Sequence, residues 1–287
     1  MQLKLLRFYY GFLSALFPAV AARKAFNLFQ HVRIKTIRNR EREFYNTVQK
    51  TIVPFDLEPA SRGEPLSCYS MGDPNGKTVI LVHGWDSNAG SMSQIAKSLA
   101  LAGFNVYLFD LPGHAVYKKS FTNLPECSAA FKEIINHIAP KEPVSIVGHS
   151  FGSAVTAWFL AESGYKADKL IFLTGPNRVQ NVFEQFKKVI NLGDRAYVKM
   201  VQITEDILGK SLDEVSIASH FQKSNYSKLI LIHDKFDKVL PYKHSLEITE
   251  AIPTAELITV ENTGHYRIMW NDEVIKMIVV KLGIPKD

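Results

Sequence analysis

Apolar residues along this chain fall into short continuous runs, separated by segments with the periodicity of helices. The runs are typical of strands buried on both faces of a sheet, and the periodic segments are typical of helices that cover it. Strands are predicted at residues 78–82, 105–109, 143–147, 169–173, 229–232 and 256–260. Helices are predicted at residues 91–102, 128–138, 153–163, 242–251 and 272–282. This alternation predicts an α/β fold with a mainly parallel, twisted sheet flanked by helices.

Two regions depart from the alternation. Residues 42–59 and 64–71 are expected to form short edge strands, because Pro and Gly turns separate them. Residues 176–227 show only helical patterns, so we expect a helical insertion there, between two strands of the sheet.

The first 40 residues allow more than one interpretation. Residues 1–7 are basic and residues 8–20 are mostly apolar, a stretch shorter than the ~20 residues that span a bilayer. We predict an amphipathic helical extension over residues 1–40, which lies on a membrane through residues 1–30 or packs on the domain at 41–287. The alternative is a secretory signal that ends near residues 19–21. With the extension, we expect a cytoplasmic protein, either free or membrane-associated.

Composition excludes several classes of protein. The 287 residues are 46% hydrophobic and 22% charged, which is typical of a globular domain and argues against disorder. The net charge is +6, but no basic stripe interleaved with aromatic residues is present, so no nucleic-acid partner is expected. Cys68 and Cys127 lack the spacing of a metal or redox motif, and we expect buried free thiols.

The most informative segment is residues 144–152, Val-Ser-Ile-Val-Gly-His-Ser-Phe-Gly. It joins a predicted strand to a predicted helix through Gly-x-Ser-x-Gly, the context in which this motif indicates a nucleophile. Gly148 and Gly152 would remove the Cβ clashes of a sharp turn, and Ser150 would stand above the sheet near a helix N-terminus. We therefore predict that Ser150 is a nucleophile.

A serine hydroxyl needs a base, and the base needs an acid that orients it. His265 follows the predicted strand at 256–260, and Asp237 follows the strand at 229–232, with Asp234 as a competing acid. Catalytic groups of open α/β sheets gather beyond the carboxyl ends of strands. We therefore predict that Asp237 and His265 complete a triad with Ser150.

The tetrahedral intermediate of acyl transfer also needs hydrogen-bond donors for its oxyanion. The backbone N–H of Phe151 is the first predicted donor, and that of Trp85, in the loop after strand 78–82, is the second. His83 and His233 lie near the same edge, but no clustered spacing of ligands indicates a metal. We expect neither a metal nor a cofactor.

At these motifs the chain resembles the α/β-hydrolase superfamily, of the broad esterase and lipase type. The resemblance rests on five motifs in the superfamily's order, at residues 83–85, 110–114, 148–152, 237–241 and 264–265. It implies a Ser-Asp-His triad, two oxyanion amides and a helical lid at about 176–227. It also implies that Asp110 supports a loop and is not the triad acid. Ala115 stands where many members have glycine.

The motifs indicate the chemistry more closely than the substrate. A serine at position 150 argues against the branches of the superfamily that use a carboxylate nucleophile. The function predicted is a carboxylesterase acting on short- or medium-chain acyl esters, with a small-molecule ester as its partner. A lipase, a thioesterase, another acyl hydrolase or a non-catalytic binding protein of this fold are the alternatives. The residues expected to line an acyl pocket lie in the lid, and they are Phe183, Phe186, Tyr197 and Met200.

Overall fold

A single eight-stranded sheet runs through the part of the chain that the computed structural model describes, residues 2–56 and 64–283. Its order is β1-β2-β4-β3-β5-β6-β7-β8. β2 pairs antiparallel with both β1 and β4, and all other neighbours are parallel. The strands are β1 (Gln49–Val53), β2 (Leu66–Gly72), β3 (Thr78–Val82), β4 (Asn105–Phe109), β5 (Ser145–His149), β6 (Lys166–Leu173), β7 (Asn225–Asp234) and β8 (Glu256–Val260).

Helices cover both faces of this sheet. One apolar core includes Phe131, Phe159 and Phe172, and the other, across the sheet, includes Ile95, Phe104 and Ile278. The α-helices are α1 (Gln2–Leu16), α2 (Pro18–Phe29), α3 (Asn39–Thr47), α4 (Ser93–Leu101), α5 (Leu124–Ile138), α6 (Phe151–Ser163), α7 (Val179–Ile190), α8 (Asp194–Leu208), α9 (Ile217–Phe221), α10 (Lys243–Ala251), α11 (Gly264–Arg267) and α12 (Asp272–Leu282).

The mainly parallel sheet flanked by helices is confirmed, and several boundaries are corrected. The predicted strand at 42–59 is wrong over its first part, where α3 forms instead. Glu41 accepts the backbone N–H of Arg38 at 2.8 Å, which caps that helix, and Phe44 is buried on its inner face. Only Gln49–Val53 of the segment is a strand, and residues 57–59 lie outside the described residues.

Other boundaries shift by a few residues. The helix predicted at 128–138 begins at Leu124, because the Asn123 side chain accepts the N–H of Glu126 and caps it. β7 begins at Asn225, so the helical insertion ends at residue 224 and not at 227. The insertion comprises α7, α8 and α9, together with a short 3-10 helix at Leu212–Glu214.

The first two helices pack on the insertion. α2 lies along α8, and α1 contacts both α7 and α8. A third apolar cluster fills the space between these four helices. Its buried members are Tyr10, Ala21, Ala22, Ala25, Phe26, Phe183, Ile190, Leu192, Ala196, Met200 and Leu212.

The segment after α2 crosses loops at the carboxyl edge of the sheet. Its Val32 N–H donates to the Ser120 carbonyl at 2.7 Å. The Asp86 carboxylate accepts the N–H of Arg33 at 2.7 Å and that of Ile34 at 3.3 Å. Residues 30–34 are therefore tied to the loop that follows β3.

Candidate active site

Ser150 lies in a strained turn between β5 and α6. Its backbone has φ 52° and ψ −120°, a region that L-residues rarely adopt. A Cβ at Gly152 would lie 2.1 Å from the carbonyl oxygen of Val82, so β3 and α6 approach too closely there for any side chain. The turn therefore depends on glycine, and it presents the Ser150 side chain beyond the end of β5.

The His265 ring faces the Ser150 hydroxyl. The chain turns into α11 just after β8, and His265 Nε2 lies 3.0 Å from Ser150 Oγ. On the other side of the ring, Nδ1 lies 2.7 Å from Asp237 Oδ2. A carboxylate only accepts hydrogen bonds, so Nδ1 carries the proton and Nε2 is free to accept from the hydroxyl. The structure thus brings Ser150, His265 and Asp237 into one line of hydrogen bonds.

The Asp237 carboxylate is buried and its second oxygen is also bound. Oδ1 accepts the backbone N–H of Val239 at 2.7 Å and that of Leu240 at 3.0 Å. Burial raises the pKa of Asp237, but the bond from His265, the charge of its ring and these two amides outweigh burial and hold the pKa below its usual value. The carboxylate therefore stays ionised, which stabilises a positive charge on His265.

The competing acid, Asp234, binds the backbone around the histidine. Its Oδ2 accepts the N–H of Thr263 at 2.6 Å and that of Gly264 at 2.8 Å, and its Oδ1 accepts the N–H of Phe236. Burial raises its pKa, but these bonds prevail and hold the pKa below the usual value. Asp234 therefore fixes the two loops that carry Asp237 and His265.

A second histidine, His149, supports the same loop. Its Nε2 lies 2.9 Å from the carbonyl oxygen of His265, to which it must donate, and the two rings are 5.0 Å apart. Burial lowers the pKa of His149 to about 3, so the ring is neutral. Sequence reasoning missed this contact. The position of His149 between Gly148 and Ser150 gives no signal of a bond to a residue 116 positions later.

The loop after β3 passes directly over the nucleophile. A Cβ at Gly84 would lie 3.1 Å from Ser150 Cβ and 3.0 Å from His149 Nδ1, so only glycine fits this approach without displacing a neighbour. The ring of Trp85, the next residue, packs edge-on against that of Phe151 at 5.1 Å. Both residues therefore lie close to the Ser150 turn, and their roles as oxyanion donors stay a prediction. Phe151 is the first residue of α6, so its N–H has no partner within the helix.

Buried polar groups hold this loop in place. His83 Nε2 accepts the N–H of Leu111. On the other side of the ring, His83 Nδ1 donates to the carbonyl oxygen of Gly84 in the same loop. Asp110 accepts the Ala89 N–H and the Tyr69 hydroxyl, both at 2.8 Å. Asp110 therefore connects loops and does not contact His265, as the resemblance implied.

The four residues predicted to line an acyl pocket lie in the insertion, against the N-terminal helices. Phe183 and Met200 are buried in the third cluster, and Phe186 and Tyr197 pack against it. The Phe29 ring lies 4.4 Å from that of Phe183 and 5.2 Å from that of Phe186. Packing between helices explains their apolar character, and the prediction that they line a pocket gains no support.

Comparison with known proteins shows the family to which this chain belongs. The profile of the family described as "Serine aminopeptidase, S33" matches residues 73–222, slightly more than half of the chain. The chain belongs to this family of α/β-hydrolases. The matched residues include the β3 loop, the Ser150 turn and most of the insertion, whereas Asp237 and His265 lie beyond them.

Individual relatives are more distant. A "Serine hydrolase-like protein" of Danio rerio is 28% identical over 160 residues, which are 52% of this chain and 48% of that protein. The chain thus matches about half the length of this relative. An esterase of Thermogutta terrifontis, solved with malate bound, has a TM-score of 0.60 at 15% identity and covers 82% of this chain and 98% of its own.

A second solved structure belongs to a hydrolase named for a different substrate. The 2-hydroxy-6-oxo-6-phenylhexa-2,4-dienoate hydrolase of Rhodococcus sp. strain RHA1 has a TM-score of 0.57 at 18% identity. It covers 82% of this chain and 99% of its own. Both solved structures share the fold of this chain but are named for different substrates, so the fold alone does not assign a substrate.

Proposed function

We propose that this protein is a serine hydrolase that cleaves short- or medium-chain carboxylic esters through an acyl-enzyme on Ser150. The observation that supports the proposal most directly is the continuous line of bonds from Ser150 Oγ to His265 Nε2 and from His265 Nδ1 to Asp237. This arrangement is the one required to turn a hydroxyl into a nucleophile at neutral pH.

In the proposed reaction, His265 Nε2 takes the Ser150 proton as Oγ attacks the ester carbonyl carbon. Asp237 stabilises the imidazolium that forms, and the N–H groups of Phe151 and Trp85 bind the oxyanion of the tetrahedral intermediate. His265 then protonates the leaving alcohol. Water, activated by the same imidazole, attacks the acyl-enzyme, and the acid is released with Ser150 restored.

The aromatic rings near the triad support an apolar acyl group in the substrate. The Trp85 and Phe151 rings meet edge-on beside Ser150, and the Tyr266 ring stands perpendicular to that of His265 at 4.9 Å. These apolar rings favour an uncharged acyl group over a charged one.

A panel of p-nitrophenyl esters of increasing acyl length tests this proposal. We expect the highest kcat/KM for short or medium chains, and a loss on the order of 10⁶-fold in kcat for Ser150→Ala with an unchanged unfolding midpoint. Unchanged turnover in Ser150→Ala would refute the nucleophile. Faster cleavage of acyl thioesters or of aminoacyl p-nitroanilides than of any ester would keep Ser150 but refute the substrate class.

A further inference from the structure

The outward face of α1 is apolar along its whole length. Spacings of three and four residues place Leu5, Phe8, Tyr9, Phe12 and Leu16 on this face, and all five are exposed. Phe8 is 73% and Phe12 57% exposed. We name these five residues the α1 outer face. A helix on the surface of a globular protein normally presents polar residues to solvent, so this face is built for an apolar environment.

The inner side of α1 is already occupied. Tyr10 is buried in the third cluster, and the Ser14 hydroxyl accepts the N–H of Gly193 at 3.1 Å. Arg7 donates to the carbonyl oxygens of Lys188, at 2.7 Å, and Val189, at 3.0 Å, at the end of α7. The helix is therefore fixed on the insertion, and the α1 outer face remains uncovered after these contacts are made.

The first 40 residues carry the excess positive charge of the chain. Residues 1–40 contain eight Lys and Arg residues and no Asp or Glu. The whole chain contains 34 Lys and Arg residues and 28 Asp and Glu residues. Residues 41–287 therefore contain 26 Lys and Arg residues and 28 Asp and Glu residues, a net charge of −2, although the whole protein carries +6. Arg23 and Lys24 are exposed on α2, and Lys4 is exposed on α1 itself.

We propose that the α1 outer face binds the surface of an anionic lipid bilayer. The apolar side chains would enter the boundary between headgroups and acyl chains, and the exposed Lys4, Arg23 and Lys24 of α1 and α2 would attract anionic headgroups. A second copy of the chain is a poorer partner, because pairing this face would bring two basic segments together.

The geometry supports binding along the surface. α1 has 15 residues and is about 22 Å long, shorter than the ~30 Å hydrocarbon core. In the described residues, 2–56 and 64–283, no helix has both the length and the apolar character to cross a bilayer. Since α1 is bound to α7 and α8, the bilayer would lie against the insertion side of the domain.

Co-sedimentation of the full chain with vesicles tests the proposal, with phosphatidylcholine vesicles that contain or lack phosphatidylglycerol. We expect binding to the anionic vesicles, and a loss of about tenfold or more for the double variant Phe8→Ser/Phe12→Ser. Arg23→Gln/Lys24→Gln should weaken binding to the anionic vesicles by a similar factor and leave binding to neutral vesicles unchanged.

Leu101→Ser is the matched control, because Leu101 is a 90% exposed apolar residue on α4, outside the α1 outer face. It should bind as the unchanged protein does. The unfolding midpoint of each variant shows folding without reference to the proposed esterase activity. The proposal is overturned if the unchanged protein ignores anionic vesicles or if the double variant binds equally well. The proposal is also overturned if the unchanged protein forms a dimer and binds no vesicles, while the double variant is a monomer.

Discussion

Asp237 orients the His265 ring through a carboxylate whose two oxygens both accept hydrogen bonds. Oδ2 lies 2.7 Å from His265 Nδ1, while Oδ1 accepts the N–H groups of Val239 and Leu240. The two amides prevent the carboxylate from rotating, so the orientation of the imidazole is set by the loop after β7. Only one tautomer of His265 fits this arrangement, the one that leaves Nε2 free for Ser150.

Asp237→Asn should therefore abolish most of the ester hydrolysis without unfolding the protein. An amide at this position donates as well as accepts, so its NH₂ can face Nδ1 and favour the wrong tautomer. We expect kcat to fall on the order of 10⁴-fold in a p-nitrophenyl ester assay, as removal of the same charge does in other triads.

Asp234→Asn is the matched control, because Asp234 is the neighbouring buried aspartate and its hydrogen bonds go to backbone N–H groups and the Thr263 hydroxyl. Its pKa is held below the usual value, so its contribution to stability is present above about pH 4 and is lost as pH falls through the folded value. We expect a stability loss of about 1–3 kcal/mol at pH 7 and a much smaller loss of kcat than for Asp237→Asn. The reverse ranking of kcat values would make Asp234 the triad acid.

Gly84→Ala tests the loop over the nucleophile. The new Cβ would lie 3.1 Å from Ser150 Cβ and 3.2 Å from the His149 carbonyl oxygen, so the loop and the Ser150 turn must shift slightly apart. This displacement would misplace the Trp85 N–H, and loss of one oxyanion donor lowers kcat by about 10²–10³-fold. Steady-state kinetics should show the effect mainly in kcat.

Gly164→Ala controls for the general effect of replacing glycine. Gly164 has φ +65° and open space around its Cβ, so alanine strains the backbone but meets no neighbour. We expect a stability loss of about 1 kcal/mol and unchanged kcat. Equal kcat for the Gly84 variant and the unchanged protein would refute the role assigned to the loop.

Three buried histidines near the site make the fold sensitive to acid. Burial lowers the pKa to about 4 for His83 and to about 3 for His114 and His149. In the unfolded chain they titrate near 6.5, so below that pH the unfolded state binds more protons and stability falls. Between about pH 5.5 and pH 4.5 these three alone should remove roughly 4 kcal/mol per pH unit.

Urea unfolding at a series of pH values measures this slope. Substitution of one of the three, His114→Gln, should reduce it by about 1.4 kcal/mol per pH unit, because one fewer proton is taken up on unfolding. A free energy of unfolding that stays constant from pH 7 to pH 5 would show that the rings are not held neutral.

Much of the sheet and of the candidate site was predictable from local patterns. β3, β4 and β8 have the predicted bounds, because each is a short apolar run with turn-forming residues at its ends. The Ser150 turn was predictable for a similar reason. Strand, paired glycines and helix are neighbours in sequence, and the strain at Ser150 is a local property of that turn.

Contacts between distant segments were not predictable. α3 is a polar helix held by Glu41, which also binds the Asn88 side chain at 3.0 Å. The extension at 1–40 shows an apolar pattern in sequence, but its partners on α7 and α8 lie more than 150 positions away. The packing of Phe183 and Met200 against that extension was equally hidden in the sequence, and the pocket role predicted for them stays a prediction.

Labelling with a fluorophosphonate, followed by mass spectrometry of the digested protein, tests the proposed triad most directly. The reagent reacts with a serine only when a base removes its proton, so we expect a single adduct on Ser150. The adduct should disappear in Ser150→Ala and form far more slowly in His265→Ala. An unlabelled Ser150 in folded protein, or equal labelling in the His265 variant, would contradict it.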